Sequence, residues 1–149
     1  MELLQDVGFL LSRCSGLAVR ATNARLAPLG LRVRHYSVLS VASEGEGITQ
    51  RELAEVLGLD PSQVVALVDD LQDMGLVQRL PDPRDRRTRL VVATGQGEKV
   101  RKTARKSVAD AVEDFLGSLG DEQRAALARL LQQLAFPGES TWDASTAAT

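Results

Sequence analysis

With one cysteine and one histidine among 149 residues, several kinds of chemistry are closed to this chain. Cys14 has no partner for an intrachain disulfide, so a reducing compartment is expected, and Cys14 with His35 falls short of the ligand set of a usual zinc site. No apolar run approaches the roughly 20 residues of a membrane span. Residues 1–11 carry Glu2 and Asp6 where a secretory signal would carry basic residues, which points to the cytoplasm. Also missing are a glycine-rich phosphate loop and paired carboxylates with an evident cleft. An enzyme is therefore the least expected reading, and no metal or cofactor is expected. Nor is there a large charge of one sign: the formal net charge is -2, which in sum does not favour a polyanionic partner.

The distribution of charge says more than its sum. Residues 79–89 hold Arg79, Arg84, Arg86, Arg87 and Arg89 against Asp82 and Asp85, and residues 99–106 hold Lys99, Arg101, Lys102, Arg105 and Lys106 against no acid. The acids gather in residues 44–55 and 110–122. Such asymmetry suits a local anionic partner, and its plain alternative is a solvated charged face. The length fits one domain with a sizeable core, or a small domain with an oligomerisation element.

Hydrophobic periodicity predicts a mostly helical chain. Residues 2–29 form a helix whose stripe is Leu3, Val7, Leu10, Cys14, Leu17, Ala21 and Ala24, expected to be largely buried, with Pro28 and Gly30 at its exit. Residues 33–43 form a second, with Tyr36, Leu39 and Ala42 inward, stopped by the EGEG of residues 44–47. Thr49 and Glu52 have the spacing of a capping box and open a third, with Leu53, Ala54 and Leu57 inward as far as Gly58.

Residues 60–75, DPSQVVALVDDLQDMG, read as a short helix with marked ends. Asp60 can cap it, Pro61 suits its first position, Gly75 ends it, and Val64, Leu67, Val68 and Leu71 share one face. Two helices joined so closely match a helix-turn-helix. Residues 76–80 and 88–94 then read as strands around the turn PDPRDRR, a β-hairpin with an arginine-rich tip. A helix-turn-helix followed by a basic hairpin is a winged helix. Its second helix would enter the major groove of DNA while its wing reaches backbone or minor groove.

Further helices follow, with one stripe at Val100, Ala104, Val108, Ala111, Val112, Phe115 and Leu119 and another at Leu127, Leu130, Leu131 and Leu134. They exceed what a winged helix needs, so with the first helix they are expected to join two copies in an isologous dimer, the alternative being a monomeric bundle. The expected fold is thus mainly α with a small β-hairpin (α+β). Residues 1–30 and 95–136 supply a dimerisation module, residues 31–94 a winged helix-turn-helix DNA-binding domain, and residues 137–149, including Trp142, a mobile polar tail.

From about residue 7 to residue 134 the chain resembles the MarR family of transcription regulators. The resemblance is strongest in residues 53–94: Leu53-Ala54, Leu57, the helix of residues 60–75, Gly75-Leu76-Val77-x-Arg79, Asp82-Pro83-x-Asp85-Arg86-Arg87 and Leu90-Val91. It implies a homodimer joined by its outer helices, and release of a pseudo-palindromic double-stranded operator when a small, often aromatic or phenolic, effector binds. It also implies an ion pair of Asp69 with Arg87, which would orient the wing, and DNA contacts from Arg84 and Arg86. Ser62, Gln63 and Ala66 would lie on the reading face of the helix, and Thr49, Gln50 and Arg51 would hold the DNA backbone. The chain departs from the pattern at Val65 and Ala66, where relatives often carry Ser or Thr followed by Arg, and at Asp70, where a basic residue is common. Those departures thin hydrogen-bonded base readout and leave open a protein-contact module that has lost DNA binding.

Cys14 raises the further alternative of a thiol redox sensor. The peroxide-sensing pattern of the family is Cys-Phe-x-x-Tyr, however, and the matching residues 8–12 are Gly-Phe-Leu-Leu-Ser, so a small buried thiol is expected instead. The resemblance to the MarR family places an expected effector pocket around Cys14, Leu17, His35, Tyr36 and Leu39. His35 is read there either as a capped or solvated side chain or as a ligand contact beside Tyr36.

Overall fold

A computed structural model describes residues 1–138. After a 3-10 turn at Glu2–Gln5 come α1 (Val7–Leu26), a second 3-10 turn (Ala27–Leu29), α2 (Val33–Ala42), α3 (Gln50–Leu57) and α4 (Pro61–Asp73). The strands β1 (Val77–Pro81) and β2 (Arg89–Ala93) and the helices α5 (Gly95–Phe115) and α6 (Asp121–Ala135) complete it. Residues 1–115 form one compact unit and the chain from Leu116 a second. No helix among the described residues is long and apolar enough to cross a membrane. The tail expected from residue 137, with Trp142, falls from residue 139 onward outside the described residues.

Local chemistry sets the helix ends. The Asp6 carboxylate accepts the Phe9 N–H at 2.7 Å and starts α1. At α3 the capping box is reciprocal: Thr49 Oγ1 accepts the Glu52 N–H at 3.2 Å and Glu52 Oε2 accepts the Thr49 N–H at 2.9 Å. The turn between α3 and α4 passes through Gly58 in the left-handed conformation (φ 60°), and the Leu59 N–H returns to the Ala54 carbonyl at 3.0 Å. Asp60 stands at the N-cap of α4, yet its carboxylate makes no capping bond, contrary to expectation. Its main-chain carbonyl accepts the Gln63 and Val64 N–H groups instead, and Pro61 has no N–H to satisfy. At the other end the Leu76 N–H reaches the Leu71 carbonyl at 2.9 Å, past Gly75 at φ 71°.

The core lies under α4. Val64, Val68 and Leu71 are fully buried with Leu26, Val38, Leu39 and Leu53, while Leu76, Val77 and Val91 close the hairpin side. Each such Val or Leu contributes about 1.5–3 kcal/mol. The strands pair antiparallel with Val77 opposite Ala93 and Pro81 opposite Arg89, one residue displaced from the expected start of β1. Ile48 adds a short bridge outside them, exchanging both backbone hydrogen bonds with Val91 at 3.1 and 2.7 Å. α5 begins against the turn after α4: Thr94 Oγ1 donates to the Gly75 carbonyl at 2.7 Å and accepts the Gly97 N–H at 3.0 Å. A Cβ on Gly97 would lie 2.0 Å from the Leu76 carbonyl oxygen, so only glycine fits.

α1 packs along α5, with an Arg25–Asp114 ion pair between them. Only Thr22 and Leu26 of α1 are buried, however. Leu3, Val7, Leu10, Cys14 and Leu17 are exposed, against the expectation of a largely buried first helix. The helical stripe is present, but over its first four turns these side chains stay exposed. In the second unit, α6 starts with Gln123 Oε1 accepting the Gly120 N–H at 2.9 Å and leaves Leu130, Leu131 and Leu134 exposed.

Candidate nucleic-acid interface

Burial of Val64, Val68 and Leu71 turns the opposite side of α4 outward. Ser62, Gln63, Val65, Ala66, Asp69, Asp70 and Asp73 are all exposed. Two of these acids are engaged within the protein. Arg79, on β1, donates from Nη2 to Asp69 Oδ1 at 2.6 Å, from Nη1 to Gln72 Oε1 at 2.9 Å and from Nε to Gln50 Oε1 at 2.9 Å. One guanidinium thereby fastens the start of α3, the side of α4 and the base of the wing. Asp70 meets His35 Nε2 at 3.2 Å, while His35 Nδ1 accepts the Arg32 N–H at 3.2 Å. That pattern places the ring proton on Nε2. His35 is thus a helix cap that also ties α2 to α4.

The expected pair of Asp69 with Arg87 is not formed. Arg79 is level with Val91 in the strand register, beside α4, whereas Arg87 lies in the tip turn beyond the last pair, Pro81 with Arg89. The tip is organised from within. Asp82, whose side chain is 9% exposed, accepts the Arg84 backbone N–H at 2.8 Å and its Nε and Nη2 at 3.1 Å each. This bidentate bond, and next the backbone N–H, holds the Asp82 carboxyl below the ordinary carboxylate range, and the same bidentate bond, with the Asp82 charge, raises the Arg84 guanidinium above its own. Asp85 Oδ1 accepts the Arg87 N–H and Asp85 Oδ2 the Thr88 hydroxyl, completing the turn. Arg84 therefore carries an internal partner. Arg86, Arg87 and Arg89 are exposed and form no ion pair among the described residues.

Between the α3 start and the wing base lies a shallow cleft of about 440 Å³, lined by Thr49, Gln50, Arg79, Thr88, Arg89 and Val91. Glu52 beside it is held below its ordinary value, first by the Thr49 backbone N–H and then by the Thr49 hydroxyl. Arg51 is exposed and pairs along the helix with Glu55 at 3.1 Å, a solvated contact of small energy. Thr49 and Gln50 thus lie beside the wing base, although Gln50 has given its carbonyl oxygen to Arg79, and Ser62, Gln63 and Ala66 are exposed on α4.

The residues expected around an effector have separate surroundings. Leu39 is sealed in the core, Tyr36 packs half-buried against it, and His35 has both ring nitrogens bonded. Cys14 and Leu17 are exposed on α1, so the expectation of a buried thiol fails for the same reason as that of a buried α1. Neither the cleft above nor a second one beside Glu2, Leu3, Gln5 and Asp6 includes any of the five.

The sequence pattern of the MarR family matches residues 29–88. A MarR-family transcriptional regulator from Rhodococcus sp. RHA1 is 44% identical, and the likeness covers 91% of this chain and 96% of that one with a TM-score of 0.86. The chain belongs to the MarR family. CouR from Rhodococcus jostii RHA1, solved bound to p-coumaroyl-CoA, is similar at 45% identity over 93% of this chain and 98% of its own, with a TM-score of 0.85. A mutant MarR from E. coli, solved in complex with operator DNA, is similar at 29% identity, over 86% of this chain and 92% of its own, with a TM-score of 0.78.

This MarR-family winged-helix regulator holds its reading head by contacts that sequence reasoning missed. Arg79 was visible as the last residue of Gly75-Leu76-Val77-x-Arg79, but nothing along the chain joined it to Gln50, Asp69 and Gln72. The His35–Asp70 and Ile48–Val91 contacts were equally silent, because each joins residues more than 30 positions apart.

Proposed function

We propose that this chain is a homodimeric repressor that binds a pseudo-palindromic operator, with α4 in the major groove and the wing against the backbone or minor groove. The observation that carries this reading is the division of charge on one side of the unit. Asp69, Asp70 and Asp82 are each engaged internally, while Arg86, Arg87 and Arg89 are exposed and form no ion pair among the described residues. Such a surface is positive where a duplex would lie, despite the net charge of -2. Thr49, Gln50 and Arg51 are assigned to backbone contacts and Ser62, Gln63 and Ala66 to the groove. Of the wing arginines, Arg86 and Arg87 reach the DNA and Arg84 holds the tip in shape. The complex of the E. coli relative with operator DNA supports the reading.

The dimer is proposed from the uncovered apolar surfaces. Leu3, Leu4, Val7, Leu10 and Leu11 at the chain start are 40–69% exposed, and Leu130 and Leu134 on α6 are 53% and 69% exposed. A second copy is the partner that buries such faces twice over through one symmetric contact. Release is assigned to an aromatic acid or its coenzyme A thioester, supported by the p-coumaroyl-CoA bound to CouR. Its polar anchors are assigned to α2 at Tyr36 and Ser40, one turn apart, because Ser40 Oγ is buried with no hydrogen-bond partner among the described residues. The test is fluorescence anisotropy of the protein with duplexes from the DNA upstream of its own coding region, followed by titration of p-coumarate and p-coumaroyl-CoA. The reading expects saturable binding that one of the two ligands reverses. Equal weak binding to every duplex would instead favour a protein-contact module.

A further inference from the structure

Two apolar residues stand on the exposed side of the recognition helix, among the polar Ser62, Gln63, Asp69, Asp70 and Asp73. Val65 is 40% exposed, and Ala66 beside it is exposed as well. Neither belongs to the core, whose share of α4 is Val64, Val68 and Leu71. One turn further along the helix stand Asp69 and Asp70, and both carboxylates are engaged, Asp69 by Arg79 at 2.6 Å and Asp70 by His35 at 3.2 Å. Each carboxylate is drawn to its internal partner through one oxygen, so its charge is partly spent within the protein. What this helix offers a base edge at its centre is therefore a branched apolar side chain next to a small one. In the major groove one ordinary base presents an apolar group, thymine with its 5-methyl. Ala66, with only a Cβ, leaves room for a close approach, and Val65 supplies an exposed branched side chain beside it in the chain.

We propose that Val65 is a specificity-determining residue that selects thymine in each half-site by contact with the 5-methyl group. The inference rests on the DNA-binding reading above and deepens it. Specificity at that position comes from exclusion of water between two methyl surfaces, while Ser62 and Gln63 read neighbouring positions by hydrogen bonds.

The test starts by enriching duplexes from a random library with the full-length protein. Each thymine of the enriched motif is then replaced singly by deoxyuridine, which removes the 5-methyl and nothing else. The dissociation constant of each duplex is measured by anisotropy. One position per half-site should lose about fourfold in affinity, the equivalent of one buried methyl or methylene group. With Val65→Ser the ratio between uridine and thymine duplexes at that position should fall to about one, and with Val65→Ile it should persist. Thermal melting of the variants checks that this exposed position leaves the fold intact. An enriched motif in which every thymine tolerates replacement would overturn the inference alone, as would a methyl effect that Val65→Ser leaves unchanged. Failure to enrich any motif would overturn the DNA-binding reading together with it.

Discussion

Replacing Arg79 by Met keeps most of the side-chain length and removes all three of its bonds, so it measures what the guanidinium does. The bond to Asp69 joins a side chain 24% exposed to one 56% exposed, and so is worth no more than about 1 kcal/mol. The bonds to Gln50 and Gln72 are charge-assisted but partly solvated, at about 0.5–1 kcal/mol each. The total is about 2 kcal/mol, or roughly 6 °C in Tm for a chain of this size. Arg79→Lys should recover less than half of it, because an ammonium cannot reach three diverging acceptors. Thermal melting of Arg79→Met, Arg79→Lys and Arg87→Met decides the matter. Arg87 has no side-chain partner among the described residues, so Arg87→Met should stay within about 0.5 kcal/mol of the wild type. A double-mutant cycle should find coupling between Asp69 and Arg79 and none between Asp69 and Arg87. An unchanged Tm in Arg79→Met, or coupling of Asp69 to Arg87, would refute this assignment of the clamp.

Changing Arg86 and Arg87 together to Ala should weaken binding to any duplex and reduce the slope of log K against log salt by about 1.8, the release of two phosphate-bound cations, as read in anisotropy titrations at several salt concentrations. The depressed Asp82 carboxyl contributes wing stability that is present above its ordinary value of 3.8 and is lost as pH falls through the lowered one. Amide exchange at the tip should therefore accelerate only below that ordinary value in wild type and be fast throughout in Asp82→Asn. Gly97→Ala should destabilise by about 3 kcal/mol or more in denaturant melts, since its Cβ would meet the Leu76 carbonyl oxygen at 2.0 Å. Gly58→Ala, in open space at φ 60°, should lose only about 1 kcal/mol.

The reading head could be located from sequence because its signals are local. Pro61, Gly75 and the spacing of Val64, Val68 and Leu71 delimit α4, and Thr49 with Glu52 marks the start of α3. The turn DPRDRR equally marks a wing. What local signals do not carry is the choice among partners of like chemistry. Asp69 had several arginines within reach along the chain, and the pleat of β1, which sets Arg79 against α4, decided between them. Arg84 reads as a free cation in the sequence because the buried Asp82 beside it has the same sequence character as an exposed acid. The stripe of α1 shows a related limit. Spacing reveals an apolar face, but whether Leu10, Cys14 and Leu17 are buried depends on what packs over them, which spacing does not carry, and all three are exposed.

The central claim is that two copies of this chain grip one duplex through α4 and the wing. Light scattering on the complex with an enriched duplex, resolved by size exclusion, tests it most directly. The account predicts a mass of two chains per duplex, lost in the Arg86→Ala, Arg87→Ala double variant while the protein dimer persists. A single chain per duplex, or a complex indifferent to both arginines, would contradict it.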